Sequence, residues 1–286
     1  EWSQSGMFGD IRAQSGAGTD WVNGLKIQKN MTYQSHRLAV APMMDWTDSL
    51  CRQFHRRLSR HALLYTEMAT SAALVRGGAL HLLDHAPEER PVALQLGGSD
   101  PAELAQAARI GAAAGYAEIN LNVGCPSDRV QSGCFGAVLM KTPALVGEIC
   151  AAMIAAAPSA EITVKCRLGV DDQEPEQALP ALLAATSAGI PSVIQNREIP
   201  PLDHDLPLAM MADFPDLSIH VNGGVDSLDQ AAALLARGFD GVMIGRAAYH
   251  RPAQILGAAD RRIFGAQGPD PDPGAGGQAI DRKSVV

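Results

Sequence analysis

Aromatic residues are scarce: Phe, Trp and Tyr together make up 5% of the 286 residues. That is poor material for a stacking platform of the kind that grips single-stranded nucleic acid. Charged residues are sparse as well, at 19%, but hydrophobic residues reach 47%, which excludes a disordered chain. Long apolar runs are missing. The longest, Ile149 to Ala157, is about half of what a membrane span needs. No N-terminal stretch couples a basic region to an apolar one as a secretory signal does. Positive charge is in deficit, with Lys+Arg 23 against Asp+Glu 31 and a net charge of −8, so indiscriminate binding to nucleic-acid backbones is disfavoured. RNA stays open as a substrate if basic residues are concentrated locally. The five cysteines, Cys51, Cys125, Cys134, Cys150 and Cys166, form no C-x-x-C pair, and no His/Cys group has zinc spacing, so no metal site is expected. An odd, scattered set in a chain too large to need disulfides fits a reducing compartment, and the expected location is the cytoplasm.

What is present is an alternating pattern. Residues 1–35 are polar and Gly/Ser-rich and read as a disordered or extraneous segment, with Met31 a candidate start. Short apolar runs follow at 38–43, 63–68, 92–97, 118–124, 162–168, 192–195, 218–224 and 241–246. Most are separated by Ala/Leu-rich stretches of helical period, such as 101–114, 143–157 and 227–237, whose starts carry the candidate caps Asp100-Pro101, Thr142-Pro143 and Asp226-Ser227. Eight strand-and-helix units in one chain predict an α/β fold, a (β/α)8 TIM barrel over 36–267. A doubly wound sheet is the rival, but no G-x-G-x-x-G follows the first strand. Residues 268–286 form a Pro/Gly-rich tail that cannot hold a helix or a central strand.

In such barrels the active site lies at the C-terminal ends of the strands. There the sequence places Pro42-Met43-Met44, Glu67, Gln95, Asn122 and Cys125, Lys165 and Arg167, Asn222-Gly223-Gly224, and Gly245-Arg246. Glycines after strands seven and eight let backbone N–H groups approach a phosphate, and Arg246 adds charge; the plain alternative is that they make tight turns. An inward Lys165 needs an anionic or electron-rich partner. A flavin fits, with Lys165 near its electron-accepting edge and Gln95 bonding its pyrimidine end; the alternative is an ion pair with a carboxylate such as Glu67. Cys125 follows Asn122 and Gly124 where strand turns to loop. A free thiol is mostly protonated at neutral pH and can act as a proton donor. Cys51, Cys150 and Cys166 sit within helical or strand runs and read as small buried hydrophobes, whereas Cys134 lies in a Gly-rich loop. The run Arg52 to His61 (RQFHRRLSRH) reads first as a solvated helix face and second as a contact for an RNA backbone.

Together the motifs APMMDWTD (41–48), LLYTEM (63–68), PVALQLGGSDP (91–101), EINLNVGCPSDRVQSG (118–133), VKCRLG (164–169), NREIPPL (196–202), VNGG (221–224) and DGVMIGRAAY (240–249) make the chain resemble the bacterial tRNA-dihydrouridine synthases, in particular the A subfamily acting on D-loop uridines 20 and 20a. The resemblance covers roughly 36–265. It implies FMN-dependent reduction of the uracil C5–C6 bond, with hydride delivered to C6, a proton from Cys125 to C5, and NADPH as reductant. It also implies that Pro42, Met43 and Met44 back the flavin ring and that Gln95 and Lys165 bond it. Asn222, Gly223, Gly224, Gly245 and Arg246 would then hold its phosphate, and Asn122 and Arg167 would hold the flipped nucleotide. Uridine in folded tRNA is stacked or buried, so it must be extruded before a hydride reaches C6.

Two departures from the family pattern stand out. Between Gly189 and Asn196 only IPSVIQ remains of a longer stretch that normally carries an H-A-R motif and a Ser-Pro-Lys loop, so strand six and its loop are expected to be shortened and barrel closure threatened. The helical tRNA-binding domain of the family is absent from this sequence, so tRNA binding is expected to be weak. Val138 replaces a second cysteine of the subfamily and is expected to be neutral. Two other readings follow: a non-catalytic remnant of such an enzyme, or another FMN barrel that reduces small pyrimidines.

Overall fold

The computed structural model describes residues 36–125, 135–171, 173–186, 192–196 and 204–271. The segment 1–35, Cys134 and most of the tail lie outside these residues. Eight parallel strands close into a barrel in sequence order: β1 (Leu38–Val40), β2 (Leu63–Thr70), β3 (Val92–Gly97), β4 (Glu118–Val123), β5 (Glu161–Arg167), β6 (Ser192–Asn196), β7 (Ser218–Asn222) and β8 (Gly241–Ile244). Around them run α1 (Ser49–Leu58), α2 (Ser71–Val75), α3 (Pro101–Ala113), α4 (Pro143–Ala156), α5 (Pro175–Thr186), α6 (Asp205–Asp213), α7 (Leu228–Ala236) and the short α8 (Arg246–His250), α9 (Pro252–Leu256) and α10 (Ala259–Arg262).

The expected threat to closure is not realised. β6 is short, but it pairs along its length with β5, from Thr163↔Ser192 to Arg167↔Asn196, and with β7, from Ser192↔Ser218 to Asn196↔Asn222. Five residues supply enough backbone donors and acceptors to bridge neighbours of similar length, so no sheet edge is left open there. The loop that follows β6 lies outside the described residues.

Helix starts follow local chemistry. The Asp100 carboxylate accepts the Glu103 N–H at 2.7 Å with Pro101 in the first turn, and the Ser227 hydroxyl accepts the Gln230 N–H at 3.3 Å. Thr142 behaves otherwise: its hydroxyl bonds back to the Leu139 carbonyl at 3.4 Å and caps nothing, leaving Pro143 to start α4.

Strands β1 to β5, β7 and β8 are buried on both faces along most of their length. Outward residues such as Leu94, Leu96, Ile119, Leu121, Val164 and Val221 pack under the helices in the main apolar core. Inside the barrel, Ala39, Ala41, Leu63, Tyr65, Ala93 and Met243 form a second, small apolar cluster. Beside it lie the buried polar side chains of Gln95, Glu118, Asn120, Thr163 and His220, all at most 3% exposed. His220 shares a hydrogen bond with the Ser218 hydroxyl at 3.0 Å, and burial pushes its pKa down to about 3. It therefore stays neutral when folded but takes up a proton once unfolded below about pH 6.5, so stability falls as the pH drops through that range. From pH 6.5 to 5 this one residue costs about 2 kcal/mol. Urea titrations at the two pH values will show that loss, and His220→Gln will remove it; equal slopes for both proteins contradict the assignment.

The arginine-rich helix departs from expectation. Arg52, His55 and Arg56 of α1 are buried, while Arg57 and Arg60 face solvent. Arg52 Nε meets Glu89 at 2.6 Å, and Arg56 donates to the carbonyls of Ser59, Glu89 and Pro91 at 2.7–3.1 Å. These side chains tie α1 to the segment ahead of β3. They are neither a solvated face nor available to an RNA backbone.

Candidate active site

The C-terminal mouth of the barrel gathers the expected residues. β4 ends in Asn122-Val123-Gly124-Cys125, and the Asn122 Oδ1 accepts the backbone N–H groups of Gly124 and Cys125 at 3.0 and 2.9 Å. This closes a tight turn and holds the half-buried Cys125 at the rim. The Cys125 carbonyl accepts the Ala137 N–H at 2.9 Å, which fixes the far side of the turn. The other described thiols have different surroundings. Burial pushes Cys150 and Cys166 up to about 12 and Cys51 up to about 11, so each stays protonated.

Strand pairing sets Asn122 opposite Lys165, and Arg167 follows two residues on along the same strand. Lys165 is 8% exposed. Arg167 Nε donates to the Gly124 carbonyl at 2.5 Å, so the guanidinium braces the Cys125 turn. That contact adds a structural part to the nucleotide-holding one expected of Arg167.

Gln95 is 2% exposed and engaged from both ends: its Oε1 accepts the Asn122 Nδ2 at 3.0 Å and its Nε2 donates to the Asn120 Oδ1 at 2.8 Å. Below it, Asn120 Nδ2 donates to the Thr163 hydroxyl, and that hydroxyl donates to Glu118 Oε1, both at 2.8 Å. The Tyr65 hydroxyl donates to the same oxygen at 2.5 Å, and His36 Nε2 lies 2.7 Å from Oε2. Burial works to raise the Glu118 pKa and is the largest influence on it. His36 and the donated hydrogen bonds outweigh burial and hold the carboxyl below the usual range. Burial likewise opposes charge on His36, but the Glu118 carboxylate offsets it and raises the imidazole pKa.

On the opposite side, Met43 is held by Thr47, whose hydroxyl accepts the Met43 N–H at 3.0 Å and donates to its carbonyl at 3.1 Å. The half-buried Pro42 and Met43 line the mouth, while Met44 is 54% exposed and Asp45 sits at a positive φ of 63°. After β7, Gly223 and Gly224 have φ values of 128° and 67°, which a side chain would strain. The Asn222 Nδ2 donates to the Met243 carbonyl at 2.7 Å and locks this corner to β8. Gly245 lies beside Met43, and a Cβ there would stand 3.7 Å from its Sδ; exposed Arg246 opens α8. Glu67, expected at the end of β2, is half-buried within the strand, which runs on to Thr70, and has its pKa raised, chiefly by burial, with Asp48 and Asp45 adding to it. Asn120, Thr163, Glu118 and His36 were not singled out from sequence. The signal was available in the strict alternation of E-I-N-L-N in β4 against T-V-K-C-R in β5. Among the described residues no group of His, Cys, Asp or Glu has the arrangement of a metal site, and no helix is long and apolar enough to cross a membrane.

A closed α/β barrel with a polar, cation-bearing mouth defines the class. In fold it is similar to morphinone reductase, at a TM-score of 0.55 and 15% identity, covering 83% of this chain and 88% of that one. The dihydrouridine synthase family model matches residues 39–271, and the chain belongs to that family. It is 48% identical over 263 residues to the tRNA-dihydrouridine(20/20a) synthase of Escherichia coli (strain K12), covering 86% of this chain and 75% of that protein. It is likewise 48% identical over 252 residues to the protein of the same name from Vibrio cholerae, covering 82% of this chain and 76% of that protein.

Proposed function

We propose that this chain reduces the C5–C6 double bond of D-loop uridines 20 and 20a in tRNA, using FMN, with NADPH as reductant. Support comes from the relatives' names and from one geometric observation: Cys125, Asn122, Gln95, Lys165 and Arg167 converge on the same mouth of the barrel. The mouth suits FMN. Its wall holds a largely buried lysine and a paired amide set suited to an electron-rich, carbonyl-bearing heterocycle, and Met43 with Gly245 leaves an apolar shelf opposite. The positive-φ pair Gly223-Gly224 leaves backbone N–H groups unobstructed by side chains, and Arg246 adds a cation for the phosphate.

Reduced FMN, when bound, supplies the hydride that adds to C6. The protein's own residues do the rest. Asn122 and Arg167 hold the flipped nucleotide in the mouth, which excludes water from its stacking faces. Lys165 balances negative charge at the cofactor's edge. The Cys125 thiol donates its proton to C5: the S–H bond breaks, a C5–H bond forms and a thiolate remains. The tRNA substrate agrees with the cytoplasmic location expected from the cysteines. The closed barrel favours a working enzyme over a remnant.

Titration of the apoprotein with FMN, followed by flavin fluorescence, tests the cofactor assignment. One FMN is expected to bind per chain, and Lys165→Met is expected to weaken it about tenfold or more, the size of one charge-assisted hydrogen bond. A wild-type protein that ignores FMN would refute the proposal.

A further inference from the structure

The polar side chains inside β3, β4 and β5 form one unbroken hydrogen-bonded run in which every donor faces the same way. Its upper end is fixed by backbone. Two N–H groups, from Gly124 and Cys125, point at Asn122, so an oxygen must meet them and the Asn122 nitrogen must turn to Gln95. Gln95 therefore meets it with oxygen and turns its own nitrogen to Asn120. Asn120 repeats the pattern and donates to the Thr163 hydroxyl. That hydroxyl has one proton, and it goes to Glu118. An ionised carboxylate only accepts, so the lower end is fixed as well. Glu118 also takes the Tyr65 hydroxyl on the same oxygen and faces His36 with the other, so both oxygens are engaged. The amide orientations follow from this network and have no second self-consistent setting.

We infer that Thr163 and Glu118, which lie below the mouth, are positioning residues that set Gln95 and Asn122 in one orientation and brace the Cys125 turn. With both neighbours supplied, Asn122 has its oxygen saturated and one N–H uncommitted, and Gln95 also keeps one N–H. Toward a ligand this pair thus offers two N–H donors, with a remaining lone pair of the Gln95 oxygen beside them. A ring edge that alternates carbonyl oxygens with an N–H matches it, as in the 2,4-dione of uracil or of a flavin. Chains of aligned bonds also strengthen one another, so a break at Thr163 is felt at Cys125. This inference rests on the proposed function for the identity of the ligand, but the chain itself is independent of it.

Two replacements of Thr163 separate positioning from packing. Thr163→Val keeps the shape and removes the hydroxyl; Thr163→Ser keeps the hydroxyl and removes a methyl group. If the residue positions, Val weakens FMN binding about tenfold, as expected for a buried hydrogen bond lost, while Ser stays within about twofold of wild type. In the apoprotein, Val also speeds hydrogen exchange at Gly124 and Cys125, and Ser does not. If the residue merely packs, the order inverts, with Ser the more perturbed. Wild-type FMN affinity and wild-type exchange in Thr163→Val would overturn the inference. Failure of wild-type protein to bind FMN would instead strike the proposed cofactor, and the exchange experiment would still decide whether the chain positions the turn.

Discussion

Cys125→Ala protein binds FMN as wild type does and is reduced as readily, but forms dihydrouridine about 10²–10⁴-fold more slowly, the usual worth of a positioned general acid. The expectation follows from where the thiol stands. Its turn is held by Asn122 on one side, Ala137 on the other and Arg167 behind, so the side chain is delivered to the rim independently of its sulfur. Removing the sulfur leaves those backbone bonds in place and takes away the proton. Hydride addition to C6 leaves negative charge on C5 and the adjoining carbonyl, and without an acid in place the charge must wait for water. Cys150 and Cys166 cannot substitute, because they are buried as packing in α4 and β5, and the half-buried Cys51 faces the His55 ring in α1. Single-turnover measurement of flavin reoxidation by unmodified tRNA checks this, and an unchanged rate in Cys125→Ala would remove the acid assignment.

The largest effect on stability is expected at Glu89. Its carboxylate is fully buried and holds Arg52 Nε at 2.6 Å, the Ser49 hydroxyl at 2.5 Å and the Ala86 N–H at 2.9 Å. Arg52 also donates to the Thr47 carbonyl at 2.6 Å, and Thr47 in turn holds Met43 at the mouth. Glu89→Ala leaves the Arg52 guanidinium buried without its counter-charge, at a cost of about 3–5 kcal/mol. That is a large share of the roughly 5–15 kcal/mol by which a domain is stable. Denaturant titration is the check. The double replacement Glu89→Ala with Arg52→Met is expected to be less destabilised than Glu89→Ala alone, since the orphaned charge is gone. Additive losses would mean that the pair is not coupled.

The strands and the rim residues were legible in the sequence for a common reason. Parallel strands buried on both faces read as short apolar runs, and a barrel places their last residues at one mouth, so Gln95, Asn122, Cys125 and Lys165 could be assembled from order alone. The interior chain was harder to see. E-I-N-L-N is the pattern of a strand with one wet face, and only closure makes that wet face an interior where each polar group must find a partner. The arginine-rich helix misled in the opposite direction. A run of charges reads as solvated, but Arg52 and Arg56 are buried because the Glu89 carboxylate and the carbonyls of Glu89 and Pro91, 33–37 residues away in sequence, receive them. Distant partners leave no local signature. The gap before Asn196 suggested an open seam, yet strand pairing needs only backbone, and the five residues that remain provide it.

The most direct test of the account is to mix anaerobically reduced, FMN-loaded protein with tRNA lacking dihydrouridine and to follow flavin absorbance together with the product. The account predicts reoxidation of the flavin matched one-for-one by dihydrouridine in the D-loop, and none with free uracil. Bound, reducible FMN that tRNA leaves reduced, with no dihydrouridine formed, would contradict it.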